Sequence, residues 1–207
     1  LMTLGWAPQG DTEIVPWSRI QDEFRLEDVN HSPAFFDLKK LAAFNGEYVR
    51  AMSVDDFVEA CRPWLNGDDT PWSTEQFDET TFRAMAELVQ TRIVTLADVP
   101  SLVDFMFLDA PIIDEAAWTK TFGSSEAVAM LEAARASFET VDWTSDSLKT
   151  TTEECGATLG LKLGKAQAPV RVAVTGRTVG PPLFEALELL GRDAVLARIA
   201  AARRRLG

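Results

Sequence analysis

An all-α fold, an elongated stack of small helical subdomains, is what this 207-residue sequence predicts. Three observations carry that reading. Apolar residues recur three and four positions apart along much of the chain, the spacing that lines one face of a helix. Ser, Thr or Asp residues head those stripes, where they can accept hydrogen bonds from the first free backbone N–H groups. One strand-like run exists, but it has no second run to pair with, and an isolated strand leaves its backbone groups unsatisfied.

The opening Leu1-Met2-Thr3-Leu4-Gly5-Trp6 is apolar but lacks the basic flank and cleavage site of a signal peptide. It reads as the last turns of a helix whose beginning is missing, so the chain is expected to be a fragment. A helix ends near Arg50. Ser53-Val54-Asp55-Asp56 opens the next with a capping box, and Phe57, Val58, Cys61, Trp64 and Leu65 carry it to the turn-forming Asn66-Gly67-Asp68-Asp69. Phe82, Met85, Ala86 and Val89 form another stripe. Thr95 to Asp98 heads a short helix holding Leu102, Val103 and Met106. Ser124 caps a further one, with Val128, Leu131, Arg135 and Phe138 along one side.

Pro182 suits a first helical turn before Leu183, Phe184, Leu187 and Leu190, and Gly191 stops that helix. Val195, Leu196 and Ile199 mark the last helix, which runs into Arg203-Arg204-Arg205. The exception is Val170-Arg171-Val172-Ala173-Val174, whose β-branched alternation reads locally as a strand. Pro169 and Gly176 around it suit a short helix equally, and the missing partner favours the helix. Joints are expected at Arg50–Ser53 and Leu108–Pro111.

Hydrophobic residues at 46% and charged residues at 25% describe an ordinary globular balance, long enough for one large core or two small ones. No run approaches the ~20 apolar residues of a membrane span, so no membrane partner is expected. Cys61 and Cys155 lie far apart without metal-ligand spacing, and Cys61 on its apolar stripe reads as a buried free thiol, which suits a reducing cytoplasm. The net charge of −12 argues against a general nucleic-acid coat, and DNA is not an expected partner. Its distribution is uneven. Residues 156–207 hold 9 Lys+Arg against 3 Asp+Glu, leaving 11 against 29 in residues 1–155. A localised anion site accounts for this, and so does a charged, solvated C-terminal helix.

His31, the lone histidine, stands beside Ser32-Pro33 in a loop-like stretch and reads as solvated. The acidic pairs Asp55-Asp56 and Glu153-Glu154 have no ligand-loop spacing, and no Gly-rich phosphate loop or nucleophile elbow is present. No catalytic, cofactor-binding or metal-binding residue is therefore expected.

Phe36-Asp37-Leu38-Lys39-Lys40-Leu41 followed by Asn45-Gly46-Glu47-Tyr48-Val49-Arg50 resembles a stretch of the bacterial glutamyl-tRNA synthetases. Leu4-Gly5-Trp6 and Ser32-Pro33-Ala34-Phe35-Phe36-Asp37 match the same family in order. Lys162-Leu163-Gly164, Pro169 to Gly176, Gly180-Pro181-Pro182-Leu183-Phe184-Glu185 and Leu190-Gly191-Arg192 are similar to its C-terminal signature, so the resemblance brackets nearly the whole chain. It implies the helical, cage-like anticodon-binding domain of a class I aminoacyl-tRNA synthetase. Residues 1–52 would be the tail of a stem-contact domain, and 53–109 and 110–207 two helical anticodon-binding subdomains. The family's catalytic signatures are absent, so this chain alone should be inactive, with ATP and Mg²⁺ belonging to the catalytic part of the longer enzyme. The implied partner is tRNA-Glu, through its anticodon loop and stem, with the protein a cytoplasmic monomer. The related glutaminyl enzymes fit less well, since many read anticodons with β-barrels. The alternative class is a helical protein–protein scaffold whose acidic face meets a basic partner.

The resemblance also implies roles. Arg92 falls where the family can place an arginine against the first anticodon base. A guanidinium can donate two parallel hydrogen bonds to a base edge and stack on it, although an arginine near a helix end also complements the macrodipole. Arg171 matches an arginine near the second and third bases, and the turn Gly180-Pro181-Pro182-Leu183 matches a loop that packs against splayed bases. Lys162, Lys165 and Arg177 would contact phosphates, which position RNA without reading it. Lys40 and Arg50 would touch the stem, or simply form a solvated helix face. Ala43 stands where the family often has Trp, and the match around Arg177-Thr178-Val179 is loose.

Overall fold

The structure, a computed structural model, describes residues 5–10, 14–30, 35, 37–67 and 69–207. The expectations for residues 1–4, His31, Ser32-Pro33-Ala34, Phe36 and Asp68 lie outside those residues. Eleven α-helices are described: α1 Trp17–Glu23, α2 Leu38–Ala51, α3 Val54–Leu65, α4 Glu79–Gln90, α5 Val99–Phe107, α6 Glu115–Phe122, α7 Ser125–Phe138, α8 Ser145–Thr158, α9 Leu163–Thr175, α10 Leu183–Leu190 and α11 Arg192–Leu206. Among the described residues there is no strand, so the fold is all-α, as the sequence predicts.

The capping chemistry acts where it was expected. Ser53 Oγ accepts from the Asp56 N–H at 3.1 Å and starts α3. Asp78, which the sequence reading did not single out, accepts from Thr81 N–H at 2.7 Å and starts α4. Thr95 and Asp98 close a capping box over a 3-10 turn that feeds α5. Ser124 caps α7. Each such cap stabilises its helix by about 1 kcal/mol.

Two cores form. α3, α4 and α5 pack together, burying Phe57, Cys61, Phe82, Met85, Val89 and Val103, with Val49 of α2 joining them. Full burial of a side chain such as Phe57 or Phe82 contributes about 1.5–3 kcal/mol. α6 to α11 build the second core, and α9 sits at its centre, touching α6, α7, α8 and α11. Val170, Val172, Ala173, Val174 and Thr175 are consequently all buried, on every side of α9. The strand-like run is a helix. It begins at Leu163, six residues before Pro169, so the proline stands inside it and not at its head. The stripe expected on α7 is rotated: Ala127, Met130, Leu131, Ala134 and Phe138 face inward, whereas Arg135 is exposed and pairs with Glu139.

Three links join the cores. α10 lies against α4 and turns Ala186 into the first core while Leu183, Phe184 and Leu187 face the second. The buried Asp104 of α5 pairs with Arg177 at 2.5 Å. Arg198 of α11, 6% exposed, donates to the carbonyls of Leu108 at 2.6 Å and Val174 at 3.1 Å. Beside them Gly176, at φ +79°, crosses so close to the chain that a Cβ there would lie 2.0 Å from the Ile112 carbonyl oxygen.

Candidate nucleic-acid interface

Arg92 follows α4 on a rigid seat. Gln90, 7% exposed, donates from its side-chain amide to the carbonyls of Val49 at 2.7 Å and Met52 at 3.0 Å, fixing the end of α4 to the end of α2. Ile93 is buried in the first core. Between these two anchors the Arg92 backbone N–H donates to Val89 at 2.8 Å, and its side chain is exposed.

Arg171 projects from the middle of α9 and is half-buried. One Nη1 hydrogen bond, 2.9 Å long, goes to the carbonyl of Pro181 and ties α9 to the turn before α10. Gly180 touches the same guanidinium, since a Cβ there would lie 3.6 Å from Nη1, an ordinary contact. Burial holds the Arg171 guanidinium below its ordinary pKa, and the like charge of Arg92 acts in the same direction, with Glu185 opposing both. The two arginines, 79 positions apart and seated in different cores, therefore share one electrostatic neighbourhood. Two cations within electrostatic reach of each other suit an anion or the electron-rich edge of a base.

The other residues of the expected site divide. Pro181 is buried and offers its carbonyl to Arg171. Leu183 is 2% exposed and packs in the second core, because the first apolar residue of α10 must face inward. A base cannot stack on its side chain as placed. Its backbone N–H remains, at the head of a helix that Pro182 leaves without a side-chain cap. Arg177, expected to contact phosphate, has its guanidinium paired with Asp104, whose burial demands a partner. Lys162 and Lys165 are exposed at the start of α9. Lys40 lies over the Phe44 ring at 5.5 Å, and Arg50 pairs with Glu47 at 2.6 Å, both on α2.

Sequence reasoning missed Val179 and Glu185. Val179 is 75% exposed on the lip next to Gly180, an apolar surface that the loose match around it gave no reason to single out. Glu185 was legible only as one residue of a matching block. Its charge favours the ionised form of Arg171, against burial and the charge of Arg92.

An all-helical scaffold that holds Arg171 against a proline-stiffened turn, within reach of the charge of Arg92, defines a candidate RNA-reading module. The chain belongs to the anticodon binding domain family, whose model matches residues 56–203. It is similar to the glutamate–tRNA ligases of Salinispora arenicola, 58% identical over 211 aligned positions, and Thermobifida fusca, 55% identical over 208. In each case 100% of this chain is covered, but only 45% and 44% of the relative, so it spans under half their length. A solved structure described as a glutamate tRNA ligase from Elizabethkingia meningosepticum is similar at TM-score 0.78 and 26% identity, covering 99% of this chain and 39% of that one.

Proposed function

We infer that the chain reads the anticodon loop of tRNA-Glu for a glutamate–tRNA ligase, with Arg92 and Arg171 as its principal base contacts. The electrostatic reach of Arg92 to Arg171, whose guanidinium bonds the Pro181 carbonyl of the turn, is the observation that carries the reading. Arg171 has five N–H donors, of which one is given to Pro181, so others are free in direction for a Watson–Crick edge. Gly180 leaves room beside that guanidinium, and Leu183 contributes through its backbone N–H. Lys162 and Lys165 face phosphates, and Lys40 and Arg50 lie toward the stem. Residues 53–109 and 110–207 act as two units that each supply one arginine, and residues 1–52 lead into them. Holding the Arg171 guanidinium and the backbone of Arg92 in place before RNA arrives limits the ordering cost of binding.

In this reading the attachment of glutamate, with its ATP and Mg²⁺, takes place in sequence that this chain does not span. No cluster of three His, Cys, Asp or Glu side chains able to hold a metal is found among the described residues. The protein acts as a monomer in the cytoplasm. A fluorescence titration against the anticodon stem-loop of tRNA-Glu, beside one with a scrambled loop, tests this. Arg92→Ala and Arg171→Ala should each weaken binding about 10- to 100-fold, the value of roughly 1.5–3 kcal/mol for a charge-assisted hydrogen bond. Undiminished binding by the double variant rejects the assignment.

A further inference from the structure

A groove of 680 Å³ lies between the α6–α7 junction, the loop from α8 to α9, and α9 itself. Lys120 and Lys165 stand at it as exposed cations, Glu126 as an exposed carboxylate, and Leu161, Ala168 and Pro169 supply apolar wall. It adjoins Arg171 along two stretches of chain. Ala168 lines it, and Arg171, three residues on, shares that helical face. Thr178 also lines it, and Gly180, two residues on, touches Arg171.

Helix stability accounts for Lys120 in the last turn of α6 and for Glu126 in the first turn of α7, but not for Lys165. Lys165 occupies the first turn of α9, the positive end of its dipole, where a cation is disfavoured and where this helix carries no acidic residue. Lys162, at the N-cap, provides no side-chain acceptor for the first N–H groups. Two cations and uncapped N–H groups suit a phosphate. Glu126 repels one, but a carboxylate accepts hydrogen bonds from a base amino group. Its own backbone N–H, the Ser124 hydroxyl and the charge of Lys165 hold Glu126 below the usual carboxylate range, which keeps it acceptor-only. A flat ring can lie on the apolar wall.

We propose that this groove is a second nucleotide subsite, seating one further unpaired nucleotide of the RNA that meets Arg92 and Arg171. Its phosphate lies at Lys120 and Lys165, and its base turns an amino group to Glu126. The subsite rests on the anticodon-loop reading, so the test carries a separate arm for each.

The full chain is titrated with labelled tRNA-Glu anticodon stem-loop over a series of salt concentrations, as wild type, Lys120→Ala/Lys165→Ala, Glu126→Gln and Arg171→Ala. Both lysines are exposed, so the double variant should melt like wild type. It should bind about 10-fold more weakly, with a log–log salt slope shallower by roughly 0.7–0.9, the value for the one phosphate left without its lysines. A panel of stem-loops with single uridine replacements should show one position, outside those read by the arginines, at which wild type loses affinity and Glu126→Gln does not. If the lysine variant keeps its affinity and slope while Arg171→Ala is impaired, the subsite is overturned and the arginine site stands. If Arg171→Ala is also without effect, the anticodon reading falls and the subsite with it.

Discussion

Cys61 is fully buried in the first core, and burial pushes its thiol up to about 12. A thiolate, not a thiol, is the nucleophile. Iodoacetamide at mildly alkaline pH should therefore leave Cys61 unmodified in the folded protein and label it only as urea unfolds the chain, with mass spectrometry counting the adducts. Prompt native-state labelling would contradict the packing. Asp104 carries a different consequence. Burial raises its carboxyl above the ordinary 3.8, outweighing the attraction of Arg177. The folded protein thus holds this proton more tightly than the unfolded chain does. The contribution to stability is full below 3.8 and is lost as pH rises through the raised value. Urea unfolding of wild type and Asp104→Asn across that range should show the wild type losing stability relative to the variant. Asp104→Ala leaves Arg177 without its acid and should cost on the order of 3 kcal/mol.

At the scale of elements, two glycines that look alike in sequence behave oppositely. Gly176→Ala sets a Cβ 2.0 Å from the Ile112 carbonyl at a left-handed φ of +79°, so a thermal melt should show severe destabilisation or no folded protein. The conformational penalty alone is ~1–2 kcal/mol. Gly180→Ala meets only an ordinary 3.6 Å contact and should leave the melt nearly unchanged. Such distinctions lie in the fold and not in the sequence. The helices of the first core were legible because each buries one face: Phe82, Met85, Ala86 and Val89 form a clean stripe over capped first turns. α9 was ambiguous because it is buried all round, which erases the periodicity a surface helix displays. α8 was missed because its inward side mixes Leu148 and Cys155 with Thr152 and Gly156, a thin apolar signal. That glycine lets α8 and α9 close up, since a Cβ on it would lie 2.7 Å from the Ala166 Cβ. Arg92 and Arg171 were found by the order of sequence blocks around them. The Asp104 that pairs with Arg177 lies 73 residues upstream, beyond any local pattern.

Across the whole molecule a charge of −12 coexists with a small set of exposed cations at one end of α9 and α6. If phosphate contact is limited to Lys120, Lys162 and Lys165, the salt dependence of RNA binding must be shallow. The log–log slope should be no steeper than about −3, against the far steeper dependence of proteins that coat a duplex. Titrations in increasing KCl measure it, and a steeper value would mean a second basic surface takes part. The arrangement of α10 bears on how such modest contact could still discriminate. This short rod is seated in two hydrophobic interiors at once, with Ala186 in one and Leu187 in the other, and the Gly180–Pro182 turn forms its tip. A nucleotide too bulky for the turn would have to shear both interiors together, whereas one that fits disturbs neither. Selectivity is then partly elastic, set by how little the pair of cores will yield.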